Sequence, residues 1–212
     1  MLTPPTIDLH LQLKNSTHAI HQDLHRNPLL RRLVERDCTR AEYQRILQVF
    51  FAFYSQSEAR YSRLCRVKFS HEAPVLSWLR QDLAALGDTL HAPVDLDTKN
   101  SSANFSQYLG YLYVKQGSTL GGQVLCRHLR KSLGLAPNKG LLFFNGYGED
   151  TRQYWLEVLR YFADHQAKVD IPSALVSAGE HFHQLQLLLE KAAQEKPCEQ
   201  PTTIAHHARA NH

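Results

Sequence analysis

Lys14, His18, His21 and His25 recur at spacings of four, three and four residues, the rhythm that gathers side chains on one flank of an α-helix. At about 100° per residue they fall within an arc of roughly 60°, beside an apolar arc of Leu13, Ile20 and Leu24. His21 lies closest to the apolar stripe, where an imidazole can enter a pocket with a nitrogen lone pair free for a metal. His18 and His25 turn further toward water on this reading. The plainer alternatives are a satisfied core histidine or a polar helix face that happens to be rich in histidine. A zinc site from His18, His21 and His25 is a third, although His-x-x-His is weak evidence without a further ligand at a familiar spacing.

A second cluster is made of glycine. Eight of the ten glycines lie between Gly110 and Gly148, and Gly117-Ser118-Thr119-Leu120-Gly121-Gly122 sits inside an otherwise helical pattern, Tyr108 to Leu133. Each interior glycine costs about 1 kcal/mol relative to alanine, so three within six residues require a compensating purpose. Missing Cβ atoms allow close approach, either of a flat ligand or of another helix, and they let the helix bend. The spacing alone leaves both open. It does exclude a phosphate loop, since no Lys-Ser or Lys-Thr follows the glycines and no strand precedes them.

The elements that must position these residues read as helices throughout, because apolar residues recur at three and four and never alternate in the strand manner. Asn27-Pro28 offers a cap and an N1 proline ahead of a short helix. Thr39-Arg40-Ala41-Glu42 has capping-box spacing and opens a long helix to about Val67. Further helices are predicted over Ala73 to Leu86, Phe105 to Leu133, Asp150 to Lys168 and Ser173 to Gln194. Gly87 to Ser102 reads as a loop, and Asn138 to Gly148 as a loop or a set of short turns. The organisation is one helical domain over 1–195 and a polar, mobile tail over 196–212.

The 212 residues suit a single core, and 43% hydrophobic with 21% charged is the composition of an ordinary globule. The longest apolar run of note, Val49 to Tyr54, is far short of a membrane span. With 24 basic and 20 acidic residues, the net charge of +4 is too balanced for a nucleic-acid binder. The N-terminus lacks the basic and apolar regions of a secretory signal, and Cys38, Cys65, Cys126 and Cys198 form no paired metal spacing. The expectation is a cytoplasmic protein with reduced thiols and no membrane or nucleic-acid partner.

Together, one histidine at a pocket edge and one glycine-rich helix ask for a flat, largely apolar ligand, a description that heme fits. The sequence resembles the biliverdin-producing heme oxygenases, particularly the soluble bacterial ones, from about Leu9 to Leu189. The best segments are Leu13 to His21, similar to the family's Leu-Lys, Thr, then His four residues on, and Tyr111 to Gln123, which carries the glycine motif. Phe143 to Gly148 and the Trp155 helix add support in the expected order.

That resemblance implies an all-α, heme oxygenase-like helical bundle with heme between a proximal and a kinked distal helix. It implies that His21 is the axial ligand to heme iron, and that Gly117, Ser118, Gly121 and Gly122 lie on the distal, catalytic side. Lys14 resembles a heme propionate contact and Arg160 a second one, the pair governing which meso carbon reacts. Phe182 is similar to a ring beside heme, or is ordinary core. Two departures stand out: His25 occupies a position where many relatives have a glutamate, and Ser118 one where animal enzymes have an aspartate. The implied reaction uses O2 and external electrons to cleave heme, which is both substrate and cofactor, to biliverdin, CO and ferrous iron. Water held by Ser118, Thr119 or backbone carbonyls would stand in for the missing acid. A ferredoxin or a flavoprotein reductase would supply electrons, docking at the basic cluster Arg127, Arg130 and Lys131, although that cluster taken alone reads more readily as a solvated helix end. A bilin-binding photoreceptor is a downstream consumer of such a product. The competing readings are a non-catalytic heme or bilin carrier, and a His-rich metal-binding or interaction module.

Overall fold

The computed structural model describes residues 8–35, 38–64, 68–88 and 103–194. Among them the chain forms eight α-helices: α1 (Leu9–Arg26), α2 (Pro28–Val34), α3 (Arg40–Arg60), α4 (Val75–Ala85), α5 (Phe105–Leu133), α6 (Leu142–Asn145), α7 (Thr151–His165) and α8 (Ile171–Gln194). The expected all-helical bundle is what forms.

Short-range chemistry sets the boundaries. Asp8 caps α1 by accepting from Leu11 N, and Asn27 both closes α1 and caps α2, its side-chain oxygen accepting from Leu29 N at 3.0 Å with Pro28 in the first turn. Thr39 and Glu42 form the capping box of α3, and Asn104 and Gln107 form one for α5. Gly134 ends α5 in the left-handed conformation (φ 65°), where a side chain would be strained.

Two segments depart from expectation. The helix beginning after Thr39 stops at Arg60 rather than continuing to about Val67. Tyr61 leaves helical geometry (φ −102°, ψ 8°) so that its ring can stack on Tyr111 at 5.1 Å and its hydroxyl can reach Ser177 at 3.1 Å. A 3₁₀ turn, Ser62–Leu64, follows. The Asn138–Gly148 stretch contains the short helix α6, whose first amides, Leu142 N and Phe143 N, donate to the buried Asp82 carboxylate at 2.8 Å each. Most of the expected Gly87–Ser102 loop, the polar tail, Cys65 and Cys198 lie outside the described residues. Cys38 and Cys126 are buried.

The bundle is organised around α5, which packs on α8 at Gly110. A Cβ there would lie 2.3 Å from the Ala174 carbonyl oxygen, so the two backbones meet at a distance only glycine permits. Tyr43, Tyr54, Tyr61, Tyr108 and Tyr111 are fully buried, and each hydroxyl is hydrogen-bonded. Behind α5, Lys115 is buried between the carboxylates of Glu58 and Glu72, which also accept from Tyr111 and Tyr108 respectively. This ion cluster ties α3 and the segment before α4 to the middle of α5.

Candidate active site

α1 and α5 face one another across a cavity of about 550 Å³, within the range of small-molecule pockets. α1 supplies His10, Lys14, Thr17, His18, His21, Leu24 and His25, and α5 supplies Tyr113, Val114, Gly117, Ser118, Leu120 and Gly121. Leu30, Phe50, Tyr54, Trp155, Phe182 and Leu185 complete a predominantly apolar wall.

The glycines of α5 divide between the two purposes the sequence left open. A Cβ built at Gly117 or Gly121 meets nothing within 4 Å, whereas one at Gly122 would lie 2.7 Å from the Phe144 carbonyl oxygen. Gly117 and Gly121 therefore leave room on the cavity side, while Gly122 allows α6 to pack against α5 and is absent from the cavity wall. Helical hydrogen bonding runs through the segment, Phe105–Leu133, without a break.

Opposite the glycines, the His21 ring meets His25 edge-on at 4.7 Å and Phe182 edge-on at 5.6 Å. Desolvation by the cavity wall pushes its pKa below the ordinary imidazole value, and the neighbouring His25 and His18 push it the same way. His21 is thus neutral at neutral pH, the form that binds a metal. Among the described residues no three His, Cys, Asp or Glu side chains converge on a point that could hold a bare ion. The His18, His21 and His25 zinc site is accordingly not formed, and any metal at His21 must bring its other ligands with it.

On the α5 side, the Tyr54 hydroxyl donates to Ser118 Oγ at 3.0 Å, and Ser118 Oγ donates to the Lys115 carbonyl at 2.7 Å. Burial holds the Tyr54 phenol well above its ordinary pKa, so it remains a neutral donor. Thr119 is buried, donates to the Gln116 carbonyl and packs under Gly146, so it is not available to the cavity as Ser118 is.

The cavity thus gathers Lys14, His21, Gly117, Ser118, Gly121 and Phe182, but not Gly122 or Arg160. Arg160 is exposed on α7 away from the wall, and the α7 residue that does line the cavity is Trp155. Sequence reasoning missed Tyr54 and Tyr113, which nothing local distinguishes from core. It also missed His10, which was within reach: four residues before Lys14, it falls on the same helical flank.

Across one apolar slot the all-helical domain thus sets the desolvated imidazole of His21 opposite the open Cβ positions of Gly117 and Gly121. Residues 7–177 match the family model for heme oxygenase, and the chain belongs to that family of enzymes. No curated protein matches the sequence at a significant level. Among solved structures, a heme oxygenase from Leptospira interrogans aligns over 87% of this chain and 100% of its own, with a TM-score of 0.73 and 19% identity. The NO- and CO-bound heme oxygenase from Neisseria meningitidis covers 88% of this chain and 92% of its own (TM-score 0.68, 18% identity). Heme oxygenase-1 from the cyanobacterium Synechocystis, solved in complex with heme, covers 87% and 92% (TM-score 0.61, 14% identity). Among the described residues no helix is long and apolar enough to cross a membrane.

Proposed function

We propose that this chain cleaves heme at a meso carbon to biliverdin, CO and ferrous iron, drawing on O2 and on electrons from a ferredoxin or a flavoprotein reductase. The observation that carries the reading is the pairing of His21 with the open Cβ positions of Gly117 and Gly121 across one cavity. Neutral His21 would hold the iron through a ring nitrogen, and Phe182 and His25 meet its imidazole edge-on. Heme, once bound, supplies the oxygen-activating iron and the ring that is itself oxidised.

The protein's own contribution is position, exclusion and weak proton donation. Gly117 and Gly121 let the α5 backbone lie close over the ligand plane and keep that face narrow. Ser118, held by Tyr54 and the Lys115 carbonyl, presents a neutral hydroxyl where the animal enzymes it resembles carry an aspartate. Such a donor would orient a water beside the ligand without itself being a strong acid. Lys14 lines the cavity and has no ion-pair partner among the described residues; on this reading it would hold a propionate and so orient the ring. The exposed Arg127, Arg130 and Lys131 give the end of α5 a basic surface for an acidic electron donor. The reading places the reaction in the cytoplasm, with a bilin-binding photoreceptor as a consumer of the product.

Absorbance titration with hemin, for the wild type and His21→Ala, tests the site. A stoichiometric complex with an imidazole-ligated Soret band that the variant lacks is expected. Identical spectra would remove His21 as the ligand, and no complex from either protein would remove heme.

A further inference from the structure

His10 stands at the opposite end of the α1 flank from His21, and nothing described so far uses it. It lines the cavity, half-buried, with its ring 5.5 Å from Trp155 in edge-on contact and 6.1 Å from Tyr113. One turn further along α1, Lys14 lines the same end. Arg160, the cation expected to share anchoring with Lys14, is off the wall. Apart from the histidines of the His18–His25 segment, the cationic or protonatable nitrogens on the lining are therefore those of Lys14 and His10.

We propose that His10 is a specificity-determining residue which, paired with Lys14, recognises a carboxylate of the cavity's ligand, so that this end of the slot selects ligands bearing two acidic arms. The inference rests on heme being the ligand and extends that reading to the residue holding its second propionate. Trp155 from α7 and Tyr113 from α5 pack against the His10 ring and narrow its range of tilt before the ligand arrives. The charged groups acting on it are both on α1: Asp8 favours its proton and Lys14 opposes it. Burial outweighs Asp8, and the ring's pKa in the free protein lies below the ordinary imidazole value. A carboxylate docking against it reverses that balance, because the new anion stabilises the imidazolium. Binding of a dicarboxylate should then be accompanied by uptake of a proton.

The test compares hemin with hemin dimethyl ester, which has the same ring and iron but no propionate charge, on wild type, His10→Phe and His10→Ala. Phenylalanine keeps the ring contacts with Trp155 and Tyr113, so a loss common to both variants is one of charge and hydrogen bonding rather than packing. Affinity is read by competition absorbance, and proton uptake by calorimetry in two buffers of different ionisation enthalpy. We expect both variants to bind hemin about tenfold more weakly and the ester unchanged, and the proton uptake of wild type at pH 7 to disappear. Unaltered discrimination between hemin and ester, with unaltered proton uptake, would overturn the role of His10. Failure of wild type to bind either compound would instead remove the heme reading on which it rests.

Discussion

Tyr54 on α3 donates its phenolic hydrogen to Ser118 Oγ on α5 across 3.0 Å, and both residues line the cavity. The bond makes the hydroxyl of Ser118 part of a fixed chain, Tyr54 to Ser118 to the Lys115 carbonyl, rather than a freely rotating group. Ser118 is therefore an oriented dipole supported from behind by the buried Lys115, which is itself held between Glu58 and Glu72.

Tyr54→Phe removes the outer donor and leaves the ring. Loss of one neutral hydrogen bond, about 1 kcal/mol, should slow conversion of the bound substrate roughly five- to tenfold while hemin affinity stays near that of wild type. Single-turnover absorbance at saturating hemin separates the two quantities. An equal loss in affinity with no change in turnover would assign Tyr54 to binding alone.

The three glycines of the motif should respond differently to the same substitution. Gly117→Ala and Gly121→Ala place a methyl in open space, so the folded protein should be unchanged or up to about 1 kcal/mol more stable, yet hemin affinity should fall. Gly122→Ala drives a Cβ to 2.7 Å from the Phe144 carbonyl oxygen and should cost about 2 kcal/mol or more. Thermal melts without ligand, paired with hemin titrations, distinguish these outcomes.

Two buried groups should act oppositely on stability between pH 4 and 6. Burial lowers His181 from 6.5 to about 4, so its favourable contribution is complete above 6.5 and is lost as pH falls toward 4. Burial raises Asp82 from 3.8 to about 6, so its contribution is complete below 3.8 and is lost as pH rises through 6. Each displacement corresponds to about 3 kcal/mol, and in wild type the two slopes largely offset one another. Relative to wild type, His181→Phe should become more stable on acidification and Asp82→Asn less so, as read from urea midpoints across pH 4 to 7.

Lys115→Met should be among the most damaging single changes. It leaves Glu72 without its cation and Glu58 with only the more distant Lys68 at 3.8 Å, both carboxylates partly buried, at a cost of about 3 kcal/mol. Restoring much of that loss with Glu58→Gln and Glu72→Gln in the same chain would identify uncompensated charge as the cause; no recovery would point to packing instead.

Where local chemistry sets an element, the sequence was legible. The caps at Asn27 and Thr39 and the full extent of α5 follow from residues a few positions apart. The His21 flank and the special nature of the α5 glycines were legible for the same reason. What escaped depends on partners distant in the chain. Tyr61 ends α3 because Tyr111 and Ser177 receive it, and periodicity carries no trace of either. Gly122 could not be separated from Gly117 and Gly121 because its distinction is the α6 backbone, which arrives from 22 residues later. That Trp155 rather than Arg160 lines the cavity escaped for the same reason, since one helical face of α7 looks much like another.

The most direct measurement is to supply the purified hemin complex with a competent reductant under air and follow its spectrum and headspace gas. Decay of the Soret band with growth of biliverdin absorbance and stoichiometric release of CO is the predicted result. A reduced complex that persists in oxygen, with neither bilin nor CO formed, would contradict heme cleavage and leave a carrier.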